Sequence, residues 1–425
     1  MMRSLFSGVS GLKNHQTRMD VIGNNIANVN TVGFKGSRVQ FQDVLNQTIQ
    51  GAAAGTGTRG GTNPMQVGLG MGMASIDTMF TDGSAQPTGK QTDLAISGQG
   101  FFVLSDGNSQ VYTRAGNFDF DTGGNYLVPG SGYKVMGWQA DATGAINTSG
   151  AITTITVPVG STMAASPSTK ITYANNLSAA GAIKNVPVAG VAGATADASI
   201  TAYDSLGNAH KVTGTFERTS ASDWTFTPKS PTDTKYAVTG GPYTITFNSD
   251  GTYKSVTPVP AISPAANLIE FTPTGATKVA IAPDFSSLTQ YGNETTVQAT
   301  SQNGYAAGTL DSTSIDPSGT IVGRFTNGQS KNLAQVALAT FNNPAGLNKS
   351  GTSLYTKSNN SGVAQVGPSG SGGRGSFTPG ALEMSNVDLA QEFSNMIITQ
   401  RGFQANSKII TTTDQMLEEL ANLKR

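Results

Sequence analysis

Asn386-Val-Asp-Leu-Ala-Gln-Glu-Phe-Ser-Asn-Met-Ile-Ile-Thr-Gln-Arg-Gly-Phe-Gln-Ala-Asn-Ser-Lys408 is the stretch that decides the fold. Within it and beyond it, Leu389, Met396, Phe403, Ile410 and Leu417 recur every seven residues, with Phe393, Ile397 and Leu420 alongside. This spacing predicts an amphipathic helix over about 381–423, with a coiled-coil-like seam. Ser385 or Asn386 is placed to cap it, with Asp388 in its first turn. The opposite end of the chain mirrors the pattern. Leu5, Leu12, Met19 and Ile26 also recur every seven residues, thickened by Val9, Ile22 and Val29, and no proline interrupts residues 3–30. At ~1.5 Å per residue that helix is about 40 Å long. The companion positions are polar or small: Gln16 and Gly23 in the first helix, Gln400, Ser407 and Asp414 in the second. So narrow a stripe buries little in an isolated pair. It suits helices packed among neighbours in a large assembly, and it also suits a two-helix hairpin closing a globular domain.

Working inward, each helix adjoins a glycine-rich tract, Gly51-Ala-Ala-Ala-Gly-Thr-Gly-Thr-Arg-Gly-Gly61 on one side and Gly367-Pro-Ser-Gly-Ser-Gly-Gly-Arg-Gly375 on the other. Such tracts read as linkers or irregular extended chain. The mirrored order implies a chain that runs outward and returns, so that each outer domain is nested in an inner one. The middle, about 73–354, reads as β. Phe101–Leu104, Ile200–Tyr203, Val212–Phe216, Tyr243–Phe247 and Ile321–Phe325 are short apolar or alternating runs bounded by Gly, Asn and Asp turns. The predicted class is multidomain α+β. Terminal helices form a coiled-coil-like inner domain, with nested, mainly antiparallel β domains of sandwich or barrel type. The expected division is 1–30 with 384–425, 31–72 with 356–383, 73–143 with 287–355, and 144–286.

Composition excludes much chemistry. The 425 residues contain no cysteine and only two histidines, which removes disulfides, thiolate metal sites and cysteine nucleophiles. Twenty-six basic and twenty-six acidic side chains balance, which argues against a nucleic-acid-binding face. Charged residues are 12% of the chain, about half the usual share, and such a surface tolerates self-association. Residues 1–50 carry five bases and two acids, and residues 381–425 six acids and four bases. Opposite signs give the two end helices weak mutual attraction.

No apolar run approaches the ~20 residues of a membrane span, and the start has no apolar leader core, so export without a cleaved leader is the expectation. Asp119-Phe-Asp-Thr-Gly-Gly-Asn125 has the D-x-D of a calcium loop but Gly130 at the twelfth position, so it reads as a β-turn. His15 reads as a packing histidine and His210 as a solvated one. No catalytic, metal or cofactor constellation emerges.

Motifs at both ends are specific. Ser4-Leu-Phe-Ser-Gly-Val-Ser-Gly-Leu12 and the core Ala27, Asn28, Thr31, Gly33, Phe34 and Lys35 resemble the N-terminal signature of bacterial flagellar rod and hook axial proteins. Asn386, Asp388, Gln400, Arg401, Ala405 and Asn406 belong to a C-terminal segment similar to that family's other end. Asp93–Phe102, Tyr112–Asn117 and Gly137-Trp138 resemble its shared β domain, and about 197–290 resembles the outer domain of hook subunits. The resemblance implies a non-enzymatic hook subunit that polymerises into a curved, flexible tube and acts as a universal joint. It implies as partners the distal rod, the hook cap, the hook–filament junction proteins and the type III export apparatus, with an extracellular location, no nucleic acid and no membrane insertion. A distal-rod-type subunit is the nearest alternative. A secreted β-rich carbohydrate-binding or hydrolytic module is the remote one.

Overall fold

The computed structural model describes residues 2–55, 59–184, 194–230, 236–258 and 268–422. The centre of the first glycine tract and the basic tail Lys424-Arg425 lie outside the described residues. The chain divides into two compact units. One comprises 1–159, 313–323 and 331–425, and the other 160–312 and 324–330.

In the first unit, helix α1 spans Met2–Ala27 and helix α2 spans Leu389–Asn422. α2 starts eight residues later than its apolar pattern alone suggests, because Ala381–Glu383 pairs as a strand with Ala85–Pro87. Its cap is Asp388, not Ser385 or Asn386. The Asp388 carboxylate accepts the N–H groups of Ala390 at 2.8 Å and Gln391 at 3.3 Å, and so satisfies two orphan donors of the first turn.

α1 leads into β1 (Ser37–Asp43), β2 (Asn46–Gln50), β3 (Met65–Gly68) and β4 (Met71–Thr78). β1 pairs antiparallel with β4, and β2 with β3, forming a narrow ribbon. The β1–β4 end is tied to α1, since Asn14 donates to the Met71 carbonyl at 2.7 Å. The connecting segment is therefore partly built of regular strands.

Beyond the ribbon, strands Lys134–Gln139, Phe101–Ser105, Gln110–Thr113, Leu354–Thr356 and Asn348–Gly351 lie side by side in that order. Residues 101–105 are buried throughout. Phe101 and Phe102 point to opposite faces and nucleate different clusters. Phe101 packs on Phe80, Phe341 and Tyr355, and Phe102 on Phe118 and Phe377. The Asp119–Asn125 stretch is a turn joining Asp119–Phe120 to Tyr126–Leu127. Its Asp121 carboxylate accepts the N–H groups of Gly123 and Asn125.

Among the described residues, the second unit holds two five-stranded sheets. One is the antiparallel meander Thr195–Tyr203, Ala209–Arg218, Asp223–Lys229, Tyr243–Phe247 and Tyr253–Thr257. The other contains a parallel pair, Lys170–Asn176 with Val279–Thr289, within an otherwise antiparallel set. Between them lie Tyr173, Phe216, Trp224, Phe226 and Phe285, all at most 1% exposed. Each contributes roughly 1.5–3 kcal/mol of burial.

His210 is not solvated. It lies 2.9 Å from the buried Asp204 carboxylate and packs edge-on against Tyr236. Its place in the strand after the turn turns the ring inward, which the turn residues alone do not reveal.

Candidate functional site

Two features of the first unit stand out: the seam between the helices, and a buried charge cluster where they leave the β strands.

The helices run antiparallel, with Arg18 against Asn395 and Asn25 against Glu392. Their contact line is small and polar. A Cβ on Gly11 would sit 2.5 Å from the Asn406 amide, and one on Gly402 would sit 2.7 Å from His15 Nε2. Each glycine thus receives a side chain from the opposite helix, and any larger residue would force that side chain, or the helix carrying it, to shift. On α2, Thr399 and Thr413 are buried, and both hydroxyls bond back to the carbonyl four residues earlier. Their polarity is therefore satisfied inside the helix. His15 completes the line, edge-on to Phe41 at 5.8 Å. Burial, with Arg18 one turn on, lowers its pKa and favours the neutral ring.

The apolar stripes lie to either side of this line. Ile22 is buried at 4% exposure, while Leu5, Leu12, Met19 and Ile26 are half-buried and Val9 is exposed. On α2, Met396, Phe403, Ile410 and Leu417 are half-buried. Leu389, Phe393, Ile397, Ile398, Met416 and Leu420 are 41–58% exposed. Leu45, Ile49 and Met65 of the ribbon are exposed as well, and apolar exposure gathered along a helix in this way marks an interaction surface.

At the other end of the seam, the signature residues converge on Glu383. Lys35 Nζ lies 2.6 Å from Glu383 Oε1, and the two side chains are 0% and 1% exposed. Arg114 Nε stands 3.3 Å from Oε2, and its other arm holds Asp82 at 2.7 Å. The same Arg114 donates to the carbonyls of Gly98 and Gly100. Lys35 also donates to the Thr81 carbonyl at 2.6 Å, and Gly83 N–H donates to Glu383 at 3.0 Å. Burial pulls the Lys35 pKa below its ordinary value despite the facing carboxylate.

Around this cluster the backbone is clipped. Gly33, at φ 65°, donates to the Glu383 carbonyl, and a Cβ there would lie 2.5 Å from Ala115 N. Asn386 accepts Gly36 N–H at 2.9 Å and donates to Met79 O at 2.8 Å. Asn25 exchanges two bonds with the Ser37 backbone.

The remaining signature residues divide by position. Asn28 and Thr31 close the C-terminus of α1: the Asn28 amide donates to Asn24 O, and the Thr31 hydroxyl donates to Asn28 Oδ1. Phe34 carries the Lys349 amine 5.1 Å over its ring. Ala27 ends α1 and is exposed, and Gln400, Arg401 and Ala405 are exposed on α2. Glu383, Arg114, Asp82 and Asn25 escaped the sequence reading. The only signal for Glu383, Arg114 and Asp82 was charge inside otherwise apolar or glycine-rich segments, and Asn25, a neutral amide within α1, gave none. Among the described residues, no group of three or more His, Cys, Asp or Glu side chains is placed to hold a metal.

Comparison with known proteins follows this geometry. Residues 5–35 match the family described as flagella basal body rod protein, and 378–423 the C-terminal region of the flagellar basal body rod FlgEFG protein. Residues 95–172 match the flagellar hook protein FlgE/F/G D1 domain, and 176–305 the flagellar basal body protein FlaE D2 domain. The flagellar hook protein FlgE of Borreliella burgdorferi is 42% identical over all of both chains, and that of Treponema pallidum 40% over all of both. The crystal structure of Helicobacter pylori flagellar hook protein FlgE2 covers 70% of this chain and 100% of its own, with a TM-score of 0.51 at 16% identity, a likeness of fold. With signature ends, β domains and full-length identity in agreement, the chain belongs to the flagellar hook protein family.

Proposed function

We propose that the chain is a structural subunit of the flagellar hook, polymerising outside the cell into a flexible tube that passes torque from rod to filament. The carrying observation is the apolar surface that α1 and α2 leave exposed, Phe6 and Val9 on one helix and Leu389, Phe393, Ile397 and Leu420 on the other, beside a contact line of mostly small and polar residues. In a helical array those stripes meet identical copies through head-to-tail contacts that propagate without closing. Leu5, Val9, Leu12, Met19, Ile22, Ile26, Leu389, Phe393, Met396, Phe403, Ile410 and Leu417 are the assembly residues in this reading. The signature residues set the angle at which the helices leave the β strands.

The chain serves as a scaffold, with no cofactor. Its neighbours are further copies of itself, the distal rod, the hook cap and the hook–filament junction proteins, after passage through the type III export apparatus. The division into helical, connecting, inner β and outer β parts given above is the working domain scheme. Bending is taken up by β domains sliding on surfaces of low charge density, and the connecting segments absorb the change in length. Free monomers have frayed terminal helices, because a narrow stripe cannot offset the entropy of ordering them.

Electron microscopy of the purified protein under polymerising conditions is the test. Curved tubes support the reading, and globular particles alone overturn it. Trypsin adds a check on coupled folding, since helix ends that resist digestion in the monomer contradict it.

A further inference from the structure

A cavity of about 550 Å³ opens beside the C-terminus of α1. Asn28, Thr31 and Phe34 form one wall, and the hairpin turn Gly351–Leu354 forms another. That turn is built at a conformational cost. Thr352 and Ser353 occupy left-handed backbone, at φ 48° and 57°, where asparagine and glycine are the usual residues. A β-branched residue held there marks a position fixed by something other than local preference. Among the described residues, the one formally charged side chain lining the cavity is Lys349. It donates to Lys35 O at 3.0 Å and Ser37 Oγ at 3.1 Å, and no carboxylate reaches it among the described residues.

The complementary surface lies at the far end of the same helical pair. In the last turns of α2, Met416, Glu419 and Leu420 share one face at i, i+3 and i+4. Met416 and Leu420 are 45% and 48% exposed. Glu419 has no ion-pair partner among the described residues. A chain cannot join its own two sites. Asn25 is level with Glu392, and Glu419 lies 27 residues further along α2, about 40 Å away at ~1.5 Å per residue.

We infer that the Met416–Leu420 face of α2 in one copy docks into the Lys349 cavity of the next copy, with Glu419 pairing with Lys349. This contact stacks the helical hairpins end to end along the tube. It rests on the hook-subunit reading and deepens it by naming one lattice contact.

The absence of cysteine makes the test direct. Lys349→Cys and Glu419→Cys are combined in the full chain, with Lys349→Cys/Asp20→Cys and Lys349→Cys/Asp43→Cys as comparison pairs. Each is polymerised, treated with a short flexible bis-maleimide that spans the reach of a Lys–Glu pair, and run on denaturing gels. The 349/419 pair is expected to give multimer ladders from tubes and none from monomer. Tubes that give no ladder above the Asp20 control overturn the proposal. So does a ladder from the Asp43 pair alone, which assigns the cavity to the exposed tip at Leu45.

Separately, Lys349→Glu is expected to raise the critical concentration for polymerisation about tenfold, a change worth ~1.4 kcal/mol. Adding Glu419→Lys should restore it. Polymerisation of Lys349→Glu at the wild-type concentration, or failure of the reversed pair to recover, counts against the contact. If the unaltered chain forms no tubes at all, the hook reading itself falls. If tubes form without 349–419 ladders, only this contact does.

Discussion

Lys35→Met probes the buried charge cluster with a magnitude that follows from its geometry. Removing one partner of a buried ion pair costs about 3–5 kcal/mol, because the other charge is stranded. Here the stranding is unequal. Without Lys35, Glu383 keeps the Gly83 N–H at 3.0 Å and Arg114 at 3.3 Å, so the loss falls near the lower figure. Without Glu383, Lys35 retains only the Thr81 carbonyl, and Arg114 keeps Asp82 as its one carboxylate beside the carbonyls of Gly98 and Gly100. Glu383→Leu is therefore expected near the upper figure, about 5 kcal/mol. The double variant should cost less than the sum by about 2 kcal/mol, since the two side chains share one interaction.

The readout is urea unfolding by tryptophan fluorescence. Trp138 lies in the first unit and Trp224 in the second, so Trp224→Phe leaves a reporter for the unit that holds the cluster. With a slope of ~2 kcal/mol per molar urea, the midpoint should fall by about 1.5 M for Lys35→Met and about 2.5 M for Glu383→Leu. The depressed Lys35 pKa adds a pH signature. The folded state binds that proton less tightly than the unfolded chain, so stability rises with pH from the lowered value up to the ordinary 10.5. Lys35→Met should flatten that rise. A midpoint shift under about 0.3 M for Lys35→Met, or strictly additive costs, would refute the account of Glu383 as the shared hub.

Other expectations are as direct. Phe393→Asp or Ile397→Asp removes about 2 kcal/mol of apolar contact between copies, roughly a thirtyfold rise in critical concentration by sedimentation, with the monomer's urea midpoint unchanged. Gly402→Val drives a side chain into His15 and should destabilise the helical pair in assembled tubes by about 1–3 kcal/mol, seen as earlier loss of their helical circular dichroism on heating. In the second unit, burial alone would raise the Asp204 pKa. Bonds from His210, Asn208 and Leu206 outweigh it and hold the carboxyl down at about 2. A depressed carboxylate stabilises above its unfolded value of 3.8 and loses that stabilisation as pH falls towards 2. Asp204→Asn should therefore remove about 2 kcal/mol of acid dependence from the Trp224 transition.

Much of the architecture was legible because its signals are local and periodic. Seven-residue recurrence located both helices, and Gly, Asn and Asp turns located strands such as 101–105, 243–247 and 320–325. The helix start was misplaced because Ala381–Glu383 carries an apolar pattern that a strand partner 300 residues away claims first. The seam was the harder case. Periodicity finds apolar residues, but the line of closest approach runs through Gly11, Asn406, Gly402 and Thr399, which no hydrophobic count selects. The charge cluster was invisible for a related reason. Lys35, Arg114 and Glu383 are ordinary surface types until the fold buries them, and their pairing spans almost the whole chain. His210 was misread because a turn residue's neighbours in sequence say little about the carboxylate its ring will meet.

The small, polar contact between α1 and α2 has a consequence for the two tips of the polymer. In the proposed tube, interior subunits would cover their stripes with neighbours on every side. Those in the last turn have covered only one side, and little in their own hairpin compensates. The tip is thus the least ordered part of the tube, and a growing end exposes adhesive helices to whatever is near. On the hook-subunit proposal, a tube made of this chain would lengthen in an orderly way if that end were kept covered between additions, and would stop growing once its last stripes were covered.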